Sequence, residues 1–256
     1  SANFVDDDTA AFRRDRHGTA VAGAIAAAAG NGQGIVGVAP GVQLMVLKAC
    51  WEEGPGRPAS CNSLTLAEAL SHAIERGAQV INLSLTGPSD PLLERLVQRA
   101  IRDGIVVVAA DVPAGTRGAT PFPLQVRDVL AIADADERPG SAAARGAPLA
   151  TPGREVLTTV PGGGYDYVSG TSMSVALASG VVAMLLELRP GLHAAELRRL
   201  LASTASLVLP LADPPRAPAT LDAEGAVRAL ATELRNTRVA AGTLRCGSAD
   251  RSAGCR

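Results

Sequence analysis

Apolar positions in this chain fall either in short continuous runs or in longer stretches spaced at three and four residues, the signatures of buried strands and of amphipathic helices. The stretch His17 to Ile25 is rich in alanine and glycine, which predicts a helix able to pack closely on its neighbours. Gly30 to Gly34 interrupts it, and Gln43 to Lys48 predicts the first strand. A Pro/Gly loop between Cys50 and Cys61 leads to a helix from Leu64 to Arg76, with Leu66, Ala69, Leu70, Ala73 and Ile74 on one face and Gly77 as its stop. Strand Gln79 to Leu85, helix Pro91 to Asp103 and strand Ile105 to Ala110 follow. The last is an unbroken apolar run, as expected of a parallel strand covered on both faces. Strand alternating with helix implies βαβ units and an α/β fold.

Val129 to Ala133 is a further apolar strand, followed by a Gly/Ala/Pro-rich segment to Gly153 and a strand from Glu155 to Val160. The run Val175 to Leu188 contains Ser179, Gly180 and Glu187 and is shorter than the roughly 20 residues a bilayer requires, so it predicts a core helix and no membrane span. Leu192 to Ser203 is amphipathic. At the ends, the acidic first sixteen residues read as surface loop, the chain beyond Leu207 turns Pro-rich, and residues 235–256 read as a tail on a domain of residues 1–234.

Composition refines this picture. A 47% hydrophobic content with only 2% aromatic predicts one large core of Ala, Val, Leu and Ile. The formal net charge of −1 gives no global field to attract nucleic acid or an anionic membrane. Four cysteines form two short-range couples, Cys50 with Cys61 and Cys246 with Cys255, which suit local disulfides and an oxidising compartment; none lies in a CxxC pair, so zinc is not expected.

One stretch carries chemistry. Val168-Ser169-Gly170-Thr171-Ser172-Met173 is a small-residue turn opening the apolar helix, and it presents the Ser172 hydroxyl beside helix-start amides able to stabilise negative charge. The same turn also suits a plain helix cap. A serine needs a base, and three histidines exist. His72 lies inside a helix and His193 at the start of another, which suit surface or capping roles. His17 opens a helix beside Gly18, where there is room for a substrate.

Together the motifs resemble the subtilisin-like serine proteases. His17-Gly18-Thr19-Ala20-Val21-Ala22-Gly23 is similar to that family's histidine motif, and Gly37-Val38-Ala39-Pro40 to the turn after it. Val80-Ile81-Asn82-Leu83-Ser84-Leu85 resembles its substrate-binding strand, Thr151-Pro152-Gly153 the loop before the serine, and Gly170-Thr171-Ser172-Met173 the nucleophile motif. These occur in family order from about Phe4 to Leu230. The resemblance implies a three-layer αβα sandwich with a mostly parallel central sheet, and a serine endopeptidase acting on polypeptides through an acyl-enzyme on Ser172, with His17 as general base. It implies Ser84, Leu85, Thr86 and Gly87 as a substrate-pairing edge and Ala109 and Ala110 as a small, uncharged pocket wall. A secreted or periplasmic location follows from it and from the cysteines.

Three departures qualify the expectation. The family's orienting Asp lies in an upstream Asp-Ser/Thr-Gly strand, which has no counterpart before His17. Asp6, Asp7, Asp8 and Asp15 read as solvated loop acids, so the carboxylate is expected from an N-terminal segment outside this sequence. The family's oxyanion-hole Asn corresponds to Asp111, whose ionised form would repel an oxyanion. Ala176 and Leu177 stand where the family has Pro and usually His. No cofactor is required; calcium, common in the family, finds only Asn31 and Gln33 as side-chain donors between Ala29 and Ile35. The alternative reading is a degenerate member that binds peptides or protein partners without cleavage. An esterase is disfavoured because Gly-x-Ser-x-Gly is absent around Ser172.

Overall fold

The computed structural model describes residues 1–52, 59–112, 120–136, 149–207 and 219–246, with 207 and 238–246 as backbone. In chain order it contains β1 (Ala2–Asn3), α1 (Thr9–Arg14), α2 (Arg16–Ala26), β2 (Leu47–Lys48), β3 (Cys50–Glu52), β4 (Ala59–Cys61), α3 (Ser63–Glu75), β5 (Val80–Leu83), α4 (Pro91–Arg102), β6 (Val106–Ala110), β7 (Leu130–Asp134), β8 (Leu149–Thr151), β9 (Val156–Val160), β10 (Gly164–Val168), α5 (Thr171–Leu188), α6 (Ala194–Thr204), β11 (Ser206–Leu207), β12 (Ala219–Thr220) and α7 (Ala223–Cys246).

The main sheet runs β11-β12-β8-β7-β6-β5, parallel throughout except for the antiparallel β11–β12 pair. Every residue of β6 is buried, because successive side chains enter opposite cores. Val107 and Ala109 face Leu70, Ile74, Leu93 and Val97 of α3 and α4. Val106 and Val108 face Val182 and Leu185 of α5, with Leu197, Leu201 and Leu230 of α6 and α7 behind them. The result is the expected αβα sandwich. Helix α5 is long and apolar enough to cross a membrane, yet Val175, Ala178, Val182 and Leu185 are wholly buried against protein, as in a core helix.

Several boundaries differ from the sequence expectation. The acidic N-terminal stretch contains α1, because the Asp8 carboxylate accepts the Ala10 and Ala11 N–H groups as a cap. The expected strand Gln43 to Lys48 contracts to Leu47–Lys48, since its partner β1 offers two residues. The two ends of the Cys50–Cys61 segment pair as antiparallel strands, β3 with β4, joined by the Cys50–Cys61 disulfide at a Cα–Cα distance of 4.3 Å. The strand near Glu155 leaves the main sheet and pairs with β10. Strand β8 and helix α7 arise where the composition suggested loop and tail. The α7 turn is capped by Asp222, whose carboxylate accepts the Gly225 N–H at 2.8 Å, and Ala226 and Leu230 are buried. That helix runs through position 235 without a break. Cys255, and with it the expected Cys246–Cys255 pairing, lies outside the described residues.

Two strand edges bear on function. Ala49, beyond β2, shares one core with Ile81 and Leu83 of β5, and Leu47 packs against it. Yet β2 pairs only with β1, and β5 only with β6, so each has an unpaired edge among the described residues.

Candidate active site

Helix α2 begins at Asp15, whose Oδ1 accepts the Gly18 N–H at 2.7 Å. Its Oδ2 lies 3.5 Å from Lys48 Nζ, and the side chains are 21% and 10% exposed. Asp15 is thus a cap and ion-pair partner, a correction to its reading as a solvated acid. Short-range capping explains why a carboxylate two residues from His17 serves the helix and not the imidazole. His17 sits in the first turn of α2, exposed. Val21, Ala24 and Ile25 of the same helix pack against Ala176 and Leu177 of α5. The two residues that replace the family's Pro and His therefore join the helices of the candidate base and nucleophile.

Of the other histidines, His72 presents its ring edge-on to Phe4 at 5.7 Å, and the His193 N–H is accepted by Glu196 at the start of α6. His17 lies on the helix whose Val21, Ala24 and Ile25 pack against Ala176 and Leu177, one turn beyond Ser172.

Ser172 occupies the first turn of α5 and meets the chain just past the C-terminal end of β5, the usual side for ligands in parallel sheets. Its Oγ donates to the Ser84 carbonyl at 3.3 Å, and Ser84 Oγ lies 3.2 Å from the Ser172 carbonyl. Among the described residues, the Ser172 N–H has no acceptor and no side chain caps α5. The turn is held from outside: the Gly170 N–H donates to Gly153 O at 2.8 Å, and the Glu155 N–H to Ser169 Oγ at 2.9 Å. Gly170 has φ 141°, open to glycine and costly for other residues. At Gly153 a Cβ would lie 2.5 Å from both Asp134 Oδ2 and Ser174 Oγ, so a glycine is required there. His17 and Ser172 are not hydrogen-bonded, and His17 makes no ion pair among the described residues.

The remaining expected positions divide. Asp111 directly follows β6 at 4% exposure, its N–H bonded to Ile132 O and its Oδ1 accepting the Val112 N–H at 2.9 Å. Ala109 and Ala110 are 0% and 7% exposed and contribute to opposite cores. Gly87 exchanges two backbone bonds with Phe122, at 3.0 and 2.9 Å, which leaves the Leu85 and Thr86 main chains as the open part of that edge. In the 29–35 loop, Asn31 Oδ1 accepts the Gln33 N–H, and no carboxylate is present, so these donors fit calcium poorly.

The β9–β10 hairpin joins the two helices. Thr158 Oγ1 donates to Ala20 O at 2.6 Å and Thr159 Oγ1 to Thr19 O at 3.0 Å, while β10 runs directly into the serine turn. Arg16, beside His17, pairs with Asp166 of β10, and its guanidinium, with the Tyr167 N–H, holds the Asp166 carboxyl below its ordinary range. The motif around Asn82 and Ser84 resembles a substrate-binding strand and gives no sign that the two are bonded to each other and to Ser179 of α5. Asn82 Oδ1 lies 2.9 Å from Ser84 Oγ, and Asn82 Nδ2 donates to Ser179 Oγ at 3.0 Å. The only signal of that bonding was polarity inside otherwise apolar elements.

A parallel sheet whose strand ends meet a serine at a helix start, with a histidine helix packed alongside, is the frame of a serine hydrolase. Residues 1–235 match the subtilase family of peptidases, and the chain belongs to that family of subtilisin-like serine proteases. It is 34% identical over 213 residues to subtilisin DY of Bacillus licheniformis, covering 80% of this chain and 76% of that protein. It is 32% identical over 210 residues to subtilisin Savinase of Lederbergia lenta, again covering 80% and 76%. Against the M-protease of Shouchella clausii, at 33% identity, 80% of this chain spans 53% of the relative's length. Among solved structures, the prenylagaramide maturation protease PagA superposes with a TM-score of 0.69 at 25% identity, covering 84% of this chain and 82% of that one. The protease domain of PatA does so with 0.68 at 28%, covering 85% and 81%.

Proposed function

We propose that this chain forms most of a secreted or periplasmic serine endopeptidase that cleaves polypeptides through an acyl-enzyme on Ser172. The observation that carries the reading is the Ser172 hydroxyl at an uncapped helix start, with its own N–H free, in a chain of the subtilase family. In the reaction His17 takes the Ser172 proton as Oγ attacks the carbonyl carbon, then delivers it to the leaving amine. The Ser172 N–H and the α5 start face the developing oxyanion. Leu85 and Thr86 pair with the extended substrate backbone. An upstream strand supplies the carboxylate that orients His17; the unpaired edges of β2 and β5, over a shared core, support a place for it between them. Without that carboxylate, turnover falls by on the order of 10⁴, the loss measured in serine proteases.

The test is labelling by a fluorophosphonate, read by mass spectrometry, in the chain alone and with its upstream segment. Label on Ser172, lost in Ser172→Ala and slowed in His17→Ala, supports the reading. Absence of label in both forms refutes it and favours a peptide-binding member without catalysis.

A further inference from the structure

Strand β5 has two faces of different chemistry. Ile81 and Leu83 enter the α3–α4 core, whereas Val80 faces the α5 side. The period-two rule puts Asn82 and Ser84 on that same side, where a buried strand would ordinarily carry apolar residues. Both meet α5. Asn82 Nδ2 donates to Ser179 Oγ at 3.0 Å, and Ser84 Oγ lies 2.9 Å from Asn82 Oδ1 and 3.2 Å from the Ser172 carbonyl. The Ser172 hydroxyl in turn donates to Ser84 O at 3.3 Å. Ser172 and Ser179 are about two helical turns apart and so share a face of α5, roughly 10 Å from one another.

We infer that Asn82 and Ser84 are positioning residues that lock the rotation and axial register of α5, and thereby the direction of the Ser172 hydroxyl. Two polar attachments along one helix face resist both sliding and rolling, which apolar packing alone permits. The Ser84 hydroxyl has one proton, shared between Asn82 Oδ1 at 2.9 Å and the Ser172 carbonyl at 3.2 Å, and Asn82 is itself fixed through its Nδ2 by Ser179, so the polar set runs from a buried helix residue to the nucleophile's own peptide. Ser84 acts through Ser172 and takes no proton from substrate. The proposal rests on Ser172 being the nucleophile.

The test measures fluorophosphonate labelling of Ser172 as separate affinity and rate terms in Ser84→Ala, Asn82→Ala, the double variant and Ser84→Thr. Ser84→Ala is expected to slow the bond-forming step about tenfold with unchanged probe affinity, the scale of one neutral hydrogen bond. Ser84→Thr, which keeps the hydroxyl, restores most of the rate, and the double variant is no slower than Ser84→Ala, since both act on one chain of bonds. A rate within about twofold of the parent in Ser84→Ala, or a loss confined to probe affinity, overturns the inference. If the parent itself takes no label, the nucleophile reading fails separately. The lock is then judged by amide hydrogen exchange at residues 172–175, which Ser84→Ala must accelerate and Ser84→Thr must not; unchanged exchange in Ser84→Ala refutes it.

Discussion

Gly23 is where the smallest change has the largest expected consequence. An added Cβ would lie 2.1 Å from Thr159 Oγ1, 2.8 Å from Thr158 Oγ1 and 3.0 Å from Thr159 Cβ, where ordinary contact begins at 3.4 Å. The worst deficit is about 1.3 Å, and the atoms in the way belong to stiff β-branched side chains whose hydroxyls are bonded to Thr19 and Ala20 carbonyls. Relief requires the β9–β10 hairpin to lift from α2. Overpacking costs about 1–3 kcal/mol and a lost hydrogen bond about 1, while alanine in place of glycine returns about 1 of helix propensity. Gly23→Ala should therefore lose roughly 1–3 kcal/mol in urea unfolding followed by circular dichroism. The hairpin ties His17's helix to the Ser172 turn, so a shift of about 1 Å also slows phosphonylation by as much as 10². Adding Thr159→Ala removes the closest clash and should recover part of both losses. An unfolding midpoint equal to or above that of the parent would refute the reasoning.

Asp15→Ala removes the α2 cap and leaves Lys48, nearly buried, without its counter-charge; a loss of about 1 kcal/mol or more is expected, and less in Asp15→Asn, which keeps the cap. Equal stability of all three proteins in urea would contradict this role. The Asp90 carboxyl is held below its ordinary value by the Ser63 hydroxyl and then by the Leu93 and Leu92 amides at the start of α4. A depressed pKa contributes stability above the unfolded value, roughly 3.9, that is lost as pH falls through the folded one. The gap between parent and Asp90→Asn in thermal melts should thus be widest near neutrality and close in acid; a gap independent of pH would remove the explanation. Reducing Cys50–Cys61 opens a loop of sequence separation 11, worth up to roughly 3 kcal/mol, so a reductant should lower the urea midpoint in the parent and not in a Cys50→Ala/Cys61→Ala variant. Asp111→Asn replaces an acceptor with a donor at the proposed oxyanion position and should raise the acylation rate, by up to about 10² as judged from the subtilisin oxyanion asparagine; a lower rate would displace Asp111 from that position.

What the chain declares by itself is what depends on near neighbours. The apolar run at Val106–Ala110, the amphipathic face of α3 and the core helix α5 follow from periodicity, because burial of one or both faces imposes it locally. His17 and Ser172 stood out only through their place in an ordered set of motifs resembling one protease family, since the serine turn alone suited a helix cap equally well. Tertiary structure decided the rest. Leu149–Thr151 is too short to show a period and becomes a strand only because β7 and β12 offer their edges. Asp15 joins its helix start to Lys48 on a distant strand, a choice that its position beside His17 does not reveal. Asn82 and Ser84 lie in a recognisable strand motif, but the polar seam they form with Ser179 exists only when strand and helix lie against each other. Hydrophobic pattern is a property of successive residues, whereas a hydrogen-bond chain across elements is set by the approach of backbones far apart in sequence.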